Sequence, residues 1–302
     1  MYIYEQNGWP CFSWDDRKLA SKLFDTAFLL GTVSGKMKTL QEFDQKKIIL
    51  ANMTEEIIAS CAIEGEHLNF DEVRSSVARM LKLPESTGAP ASSHVGEIVE
   101  MMTDARSNYK APLTLERMLS WHARLFPDGE NSLYRIKTGE IRDDGNGPMQ
   151  VVSSRHGSEE VYFQAPPAEL LPEYLKDFLK WFERDEGSNP LIRAAIAHLW
   201  FLTLHPFEDG NGRIARVITE MMLARADNSA FRFYNMSNQI FRNRNDYYKI
   251  LERTQKGNLE ISQWIGWFLD TLKRSLNEAM KLIDQTVRRK SSPCCWTDLK
   301  AI

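Results

Sequence analysis

The sequence predicts an all-α protein interrupted by one short β-hairpin. Two observations carry that expectation: apolar residues recur at helical spacing through most of the 302 residues, and strand-forming composition gathers at a single place. A third observation divides the chain. The run from Leu81 to Ala91 stacks Pro, Gly and small residues and reads as a linker, separating a helical N-terminal unit (1–90) from a main domain (91–287) and a short C-terminal tail (288–302).

The first helices are expected from Trp14 to Leu30 and from Leu40 to Ile63, where Ile48, Ile49, Met53, Ile57 and Cys61 form one apolar stripe. After the linker a helix should start near His94, followed by one over Leu115–Leu125 and one over Glu173–Arg184. Between the last two, Gln150-Val151-Val152 and Val161-Tyr162-Phe163 are β-branched and aromatic and are flanked by the turn residues Gly145 to Pro148 and Arg155 to Ser158, so a hairpin is expected there. Leu191 to Leu204 is apolar all round and reads as a buried central helix, with His198 as a hydrogen-bonded core histidine. The next helix opens at Gly210 to Gly212, and its stripe of Ile214, Val217, Ile218, Met221 and Met222 belongs to the core. Further helices are expected around Tyr247–Gln255 and over Ile261–Val287, after which the basic and turn-like Arg288 to Trp296 should leave the fold.

Composition narrows the function. With 43% hydrophobic and 26% charged residues the chain can bury a core, and a net charge of -3 gives no global basic field for wholesale nucleic-acid binding. Cys11, Cys61, Cys294 and Cys295 form no disulfide framework or CxxC pair, and the first two, beside apolar residues, read as packed reduced thiols. The N-terminus lacks the pattern of a signal peptide, and no stretch reaches the roughly 18 apolar residues of a membrane helix, so a cytoplasmic location is expected.

Chemistry concentrates in His205-Pro206-Phe207-Glu208-Asp209-Gly210-Asn211-Gly212-Arg213-Ile214-Ala215-Arg216. Gly210 and Gly212 permit close backbone approach, so the amides opening the next helix can meet an anion in the favourable field of the helix dipole. Asn211 can donate to a phosphoryl oxygen, and Arg213 and Arg216 can offer guanidinium forks to successive phosphates. Asp209 is a hard oxygen ligand suited to Mg²⁺, and His205 can accept the proton of an attacking hydroxyl. These parts support attack at a phosphorus held in a phosphate cradle.

At these residues the sequence resembles the Fic family, whose signature HxFx(D/E)GNGRxxR runs unbroken from His205 to Arg216. The resemblance implies a helical Fic core and transfer of AMP from ATP to a Ser, Thr or Tyr hydroxyl of a protein. It gives His205 the role of base and Asp209 that of ligand to Mg²⁺, with Mn²⁺ as the alternative ion. It assigns Asn211, Arg213 and Arg216 to the phosphates, with Gly210 and Gly212 shaping the anion hole. Met149 to Gln164 resembles the family's flap, which holds an extended target segment by strand addition. Tyr247, Tyr248 and Gln255 resemble its adenine-side segment, although a core role for Tyr247 is an equal reading.

Ser60-Cys61-Ala62-Ile63-Glu64-Gly65 looks like the family's inhibitory motif (S/T)xxxE(G/N). Ser60 and Glu64 are i, i+4 on one helix face, and Gly65 ends that helix. The resemblance implies that Glu64 pairs with Arg216 and denies it to ATP, as in members braked by an N-terminal helix. Many relatives continue into a winged-helix DNA-binding domain, whereas this chain ends soon after Val287 in an unrelated tail, which speaks against DNA binding. The target protein is unnamed by the sequence, and a homo-oligomer is left open. Phosphate transfer is disfavoured by Gly212, where that branch of the family carries lysine. The alternatives are a hydrolase that removes AMP through the same site, and a regulatory protein that only senses ATP.

Overall fold

The computed structural model describes residues 1–84, 92–130, 135–155, 158–184 and 187–291. Among them are eleven α-helices and one two-stranded antiparallel hairpin. The helices are α1 (Asp16–Thr39), α2 (Glu42–Ile63), α3 (Phe70–Met80), α4 (Ser93–Ser107), α5 (Leu115–Leu125), α6 (Leu171–Glu183), α7 (Pro190–Leu204), α8 (Asn211–Asp227), α9 (Met236–Arg242), α10 (Arg244–Gln255) and α11 (Ser262–Ser291). The strands are β1 (Gln150–Arg155) and β2 (Ser158–Gln164).

The centre of the molecule is α7 packed on α8. Every residue of α7 from Leu191 to Leu204 is buried, as an all-round apolar helix requires. Asn189 caps its start by accepting from the Leu191 amide, and Pro190 occupies the first turn, where its missing N–H leaves nothing unpaired. Helices α6 and α11 pack on α7, while α2, α4 and α5 pack on α8.

The segment before residue 84 does not fold around a core of its own. Helix α1 lies along α11, α2 lies against α9 and α8, and a single apolar core runs from Ile3 through to Ile283. This arrangement brings the C-terminus of α2 to the N-terminus of α8. The expected linker after Pro84 lies outside the described residues.

Four expectations change. Helix α1 continues past Leu30 to Thr39 because its buried stripe of Leu19, Thr26, Val33 and Met37 continues, while Gly31 and Gly35 sit on its exposed side. The short helices α3 and α9 were not expected; α3 starts at an Asn69 cap that accepts from the Asp71 and Glu72 amides. Helix α11 runs to Ser291, so Arg288 to Ser291 belong to a helix rather than a departing tail, and residues 292–302 lie outside the described part. Cys61 is buried but Cys11 is exposed, because its neighbours Trp9 and Phe12 take the core-facing positions. No helix among the described residues is long and apolar enough to cross a membrane.

Candidate nucleotide-handling site

Helix α7 ends at His205, which takes the left-handed conformation (φ 49°) and turns the chain toward α8. The next turn is built around Phe207, fully buried and stacked on His122 of α5 with ring centroids 4.1 Å apart. Asn211 brackets the peptide of Phe207: its Oδ1 accepts from the Phe207 amide at 3.0 Å and its Nδ2 donates to the Phe207 carbonyl at 2.8 Å. The side chain expected to meet a phosphate is thus engaged in shaping the turn. Gly210 has φ +80°, and a Cβ there would lie 2.9 Å from the Phe126 ring, so only glycine fits.

The imidazole of His122 holds this turn from the other side. Its Nδ1 accepts from the Gly139 amide at 3.0 Å, which leaves the proton on Nε2, 3.1 Å from the Asp209 carbonyl. Burial pushes its pKa down to about 4 and keeps it neutral. Nothing in the local sequence of α5 marks this role, because its partners are distant in the chain.

His205 presents its own ring in a defined state. Nδ1 lies 3.3 Å from the Leu202 carbonyl, which can only accept, so the ring proton sits on Nδ1 and Nε2 is bare. Burial, aided by the positive charge of Arg142, pushes the pKa down to about 4. Arg142 is a second residue that sequence reading missed. Its buried guanidinium donates to the His205 carbonyl at 2.8 Å and the Pro166 carbonyl at 2.6 Å and pairs with Asp144 at 2.6 Å. It thereby ties the loop to the strand exit of the hairpin.

The two arginines of the loop point back toward α2. Arg216 donates from Nε to Ser60 Oγ (2.8 Å) and from Nη2 to the Ser60 carbonyl (2.7 Å), and Nη2 also lies 2.9 Å from Glu64 Oε1. Glu64 caps the end of α2, where Gly65 (φ +85°) breaks the helix. The Glu64 carboxylate rests over Gly212, and a side chain at Gly212 would run into it. A carboxylate therefore sits at the helix N-terminus, where an anion is most favoured. Arg213 reaches Glu66 Oε2 at 2.5 Å, with its guanidinium over the Phe126 ring at 4.8 Å.

A cavity of about 760 Å³ opens in front of these groups. Glu64, His205, Asp209, Gly210, Asn211 and Gly212 line one side, Met149 to Val152 with Tyr162 and Phe163 of the hairpin another, and Tyr247, Tyr248 and Gln255 of α10 the third. The hairpin pairs Val151 with Phe163 and Val152 with Val161, leaving Tyr162 as a bulge. Its base is braced by the first residues of the chain: Tyr2 and Tyr4 pack on Phe163 at centroid distances of 5.2 and 6.2 Å.

On α10, Tyr247 serves core and cavity together. The Thr219 hydroxyl donates to the Ala215 carbonyl, so His198 Nδ1 donates to Thr219 at 2.8 Å and Nε2 accepts from the Tyr247 hydroxyl at 2.9 Å. Burial pushes His198 down to about 3, as suits a neutral core histidine. Gln255 lies within 3.4 Å of the Thr203 hydroxyl, and the Tyr248 hydroxyl is 3.4 Å from the Ile63 carbonyl at the end of α2.

The chain is similar to known families and solved structures. A model described as "Fic/DOC family" matches residues 112–223, and one described as "Domain of unknown function (DUF4172)" matches residues 2–83. The chain is similar to "Protein adenylyltransferase fic-1" of Caenorhabditis elegans, 28% identical over 175 residues that make up 55% of this chain and 30% of that protein. It is also similar to "Uridine 5'-monophosphate transferase" of Xanthomonas campestris, 32% identical over 123 residues, 38% of this chain and 22% of that one. The chain thus spans less than a third of the length of either relative. Among solved structures, a Fic family protein from Desulfovibrio desulfuricans superposes with a TM-score of 0.64 at 21% identity, covering 86% of this chain and 74% of that one, which establishes the fold. The chain carries a Fic/DOC family domain, and the loop from His205 to Arg216 lies inside it.

Proposed function

We propose that the protein is an adenylyltransferase that moves AMP from ATP onto a Ser, Thr or Tyr hydroxyl of a target protein, and that Glu64 holds it in a low-activity state. The observation that carries this reading is the meeting of three parts in one cavity: a bare imidazole nitrogen on His205, a helix N-terminus at Gly210 to Gly212, and an antiparallel hairpin. Triphosphate oxygens bind at the α8 N-terminus, where the amides and helix dipole stabilise negative charge. The target lies along the hairpin edge, which places its hydroxyl near His205. The hydroxyl oxygen bonds to the α-phosphorus, its proton passes to His205 Nε2, and the bond from the α-phosphorus to the bridging oxygen breaks to release pyrophosphate. A neutral His205 with a low pKa is ready to accept that proton across the physiological range.

Asp209 fits a magnesium ion. Its carboxylate lies on the cavity wall beside the anion-binding amides, and no cluster of three or more His, Cys, Asp or Glu able to hold a metal occurs among the described residues. An ion held by Asp209 would take its other oxygens from phosphate and water, the habit of Mg²⁺. When bound, it neutralises phosphate charge.

The similarity to a uridine 5'-monophosphate transferase favours a second reading, UMP transfer from UTP. The test is to incubate wild type, Glu64→Gly and His205→Ala with ATP or UTP labelled at the α- or γ-phosphate, and to count label on protein. Retained α-label from ATP, lost in His205→Ala by roughly 10²–10⁴-fold, is the expected result. Retained γ-label, or unchanged labelling by His205→Ala, would sink the mechanism, and α-label from UTP alone would establish the second reading.

A further inference from the structure

Glu64 is not alone at the end of α2. Gly65, with its positive φ, reverses the chain so that the residues on either side of it diverge. Glu64 reaches Arg216, and Glu66 reaches the other loop arginine, Arg213, with Oε2 2.5 Å from Nη1. The second oxygen of Glu66 lies 2.5 Å from His94 Nε2 in the first turn of α4. Arg213 is 7% exposed, with one face over Phe126 and Nη2 3.8 Å from Asp209. Its Nε is buried with no hydrogen-bond partner. The Nε edge is buried out of a ligand's reach, and with Nη1 held by Glu66 the outer Nη1–Nη2 fork cannot make a bidentate phosphate contact until Glu66 lets go.

We propose that Glu66 is a second restraint on the nucleotide site, acting on Arg213 as Glu64 acts on Arg216, and that His94 is the positioning residue that keeps it there. The inference deepens the proposed function and rests on its reading of both arginines as phosphate ligands. The two restraints are separable. They use different glutamates, different arginines and different supports: Ser60 of α2 holds Arg216, and His94 of α4 holds Glu66. Freeing Glu64 alone leaves Arg213 occupied, so full engagement of a diphosphate group requires both to release. A monophosphate makes no such demand.

The test is calorimetric titration of ATP, ADP and AMP, with Mg²⁺, into wild type, Glu64→Gly, Glu66→Gln and the double variant. Gln keeps the shape of Glu66 and removes its charge. Glu66→Gln is expected to tighten ADP and ATP by about tenfold while leaving AMP within about twofold, and the double variant is expected to bind ATP tighter than Glu64→Gly. His94→Gln, at a more exposed position, is expected to shift ADP in the same direction by less, and it carries the comparison if Glu66→Gln fails to fold. Unchanged or weaker ADP binding in a Glu66→Gln protein that melts like wild type would overturn the restraint while leaving the nucleotide reading intact. No nucleotide binding by any variant would overturn both.

Discussion

Replacing Glu64 by glycine removes one contact, and its size can be worked from the structure. The Arg216 side chain is 2% exposed and that of Glu64 31%, so the pair is buried on one side and half-wet on the other. A charge-assisted hydrogen bond contributes about 1.5–3 kcal/mol when buried, and an exposed ion pair about 0–1 kcal/mol. An intermediate value of about 1.4 kcal/mol corresponds to a tenfold shift in how often Arg216 is available to a competing phosphate. Labelling from α-labelled ATP below saturation should therefore rise about tenfold. Stability should fall by only about 1–2 kcal/mol, because Ser60 keeps both of its hydrogen bonds to Arg216 and the remaining loss is the backbone freedom of the new glycine. Glu64→Gln, which keeps a neutral hydrogen bond, should fall between the two proteins. Unchanged labelling by a Glu64→Gly variant that retains a native melting profile would refute the idea that this ion pair restrains the site.

Two further outcomes follow from the same packing. Gly210→Ala meets both a left-handed backbone and the Phe126 and Leu125 side chains, at 2.9 and 3.2 Å from the new Cβ, so it should destabilise by about 2 kcal/mol or more in chemical denaturation and abolish labelling. Wild-type stability at low denaturant would contradict the described turn. Acid should act through buried histidines: burial holds His198 to about 3 and His122 and His205 to about 4. The unfolded chain takes up those protons near pH 6.5, so between about pH 6.5 and 4 it binds more protons than the folded state, and stability falls as pH drops through that window. Melting temperatures from pH 7 to 5 should decline, and His198→Gln should reduce the proton uptake on unfolding by about one. An identical pH slope in that variant would count against a neutral core histidine.

The loop was legible because its chemistry is contiguous. Twelve neighbouring residues carry the imidazole, the carboxylate, the glycines and the arginines, and the helix periodicity on both sides placed them at a turn. Glu64 was legible only through a motif, since an acidic residue at a helix end has no distinctive local pattern. What escaped notice acts across the chain. His122 and Arg142 hold the loop from 87 and 63 residues away in sequence, and Glu66 meets Arg213 and His94 only once α2 and α4 are packed. Asn211 shows a subtler limit. An amide in a phosphate-binding signature invites a ligand role, yet its geometry is committed to Phe207, and spacing alone cannot distinguish a group that touches a ligand from one that shapes the loop around it. Helix α1 extends beyond the expected Leu30 because its buried stripe continues through Val33 and Met37, where buried positions spaced by whole turns are sparse and the apolar signal is thin.

The two glutamates flanking Gly65 also bear on how such a protein tolerates mutation. Any glutamate codon becomes a glycine codon by a single-base change, so a restraint made of one glutamate is one replication error from release. With Arg216 and Arg213 gripped by separate carboxylates, a first error at Glu64 leaves Glu66 in place. On the proposed reading of both contacts as restraints, a lineage carrying them can accumulate variation at either position without passing at once to an unrestrained enzyme, and variants lacking both should be rare in growing cells.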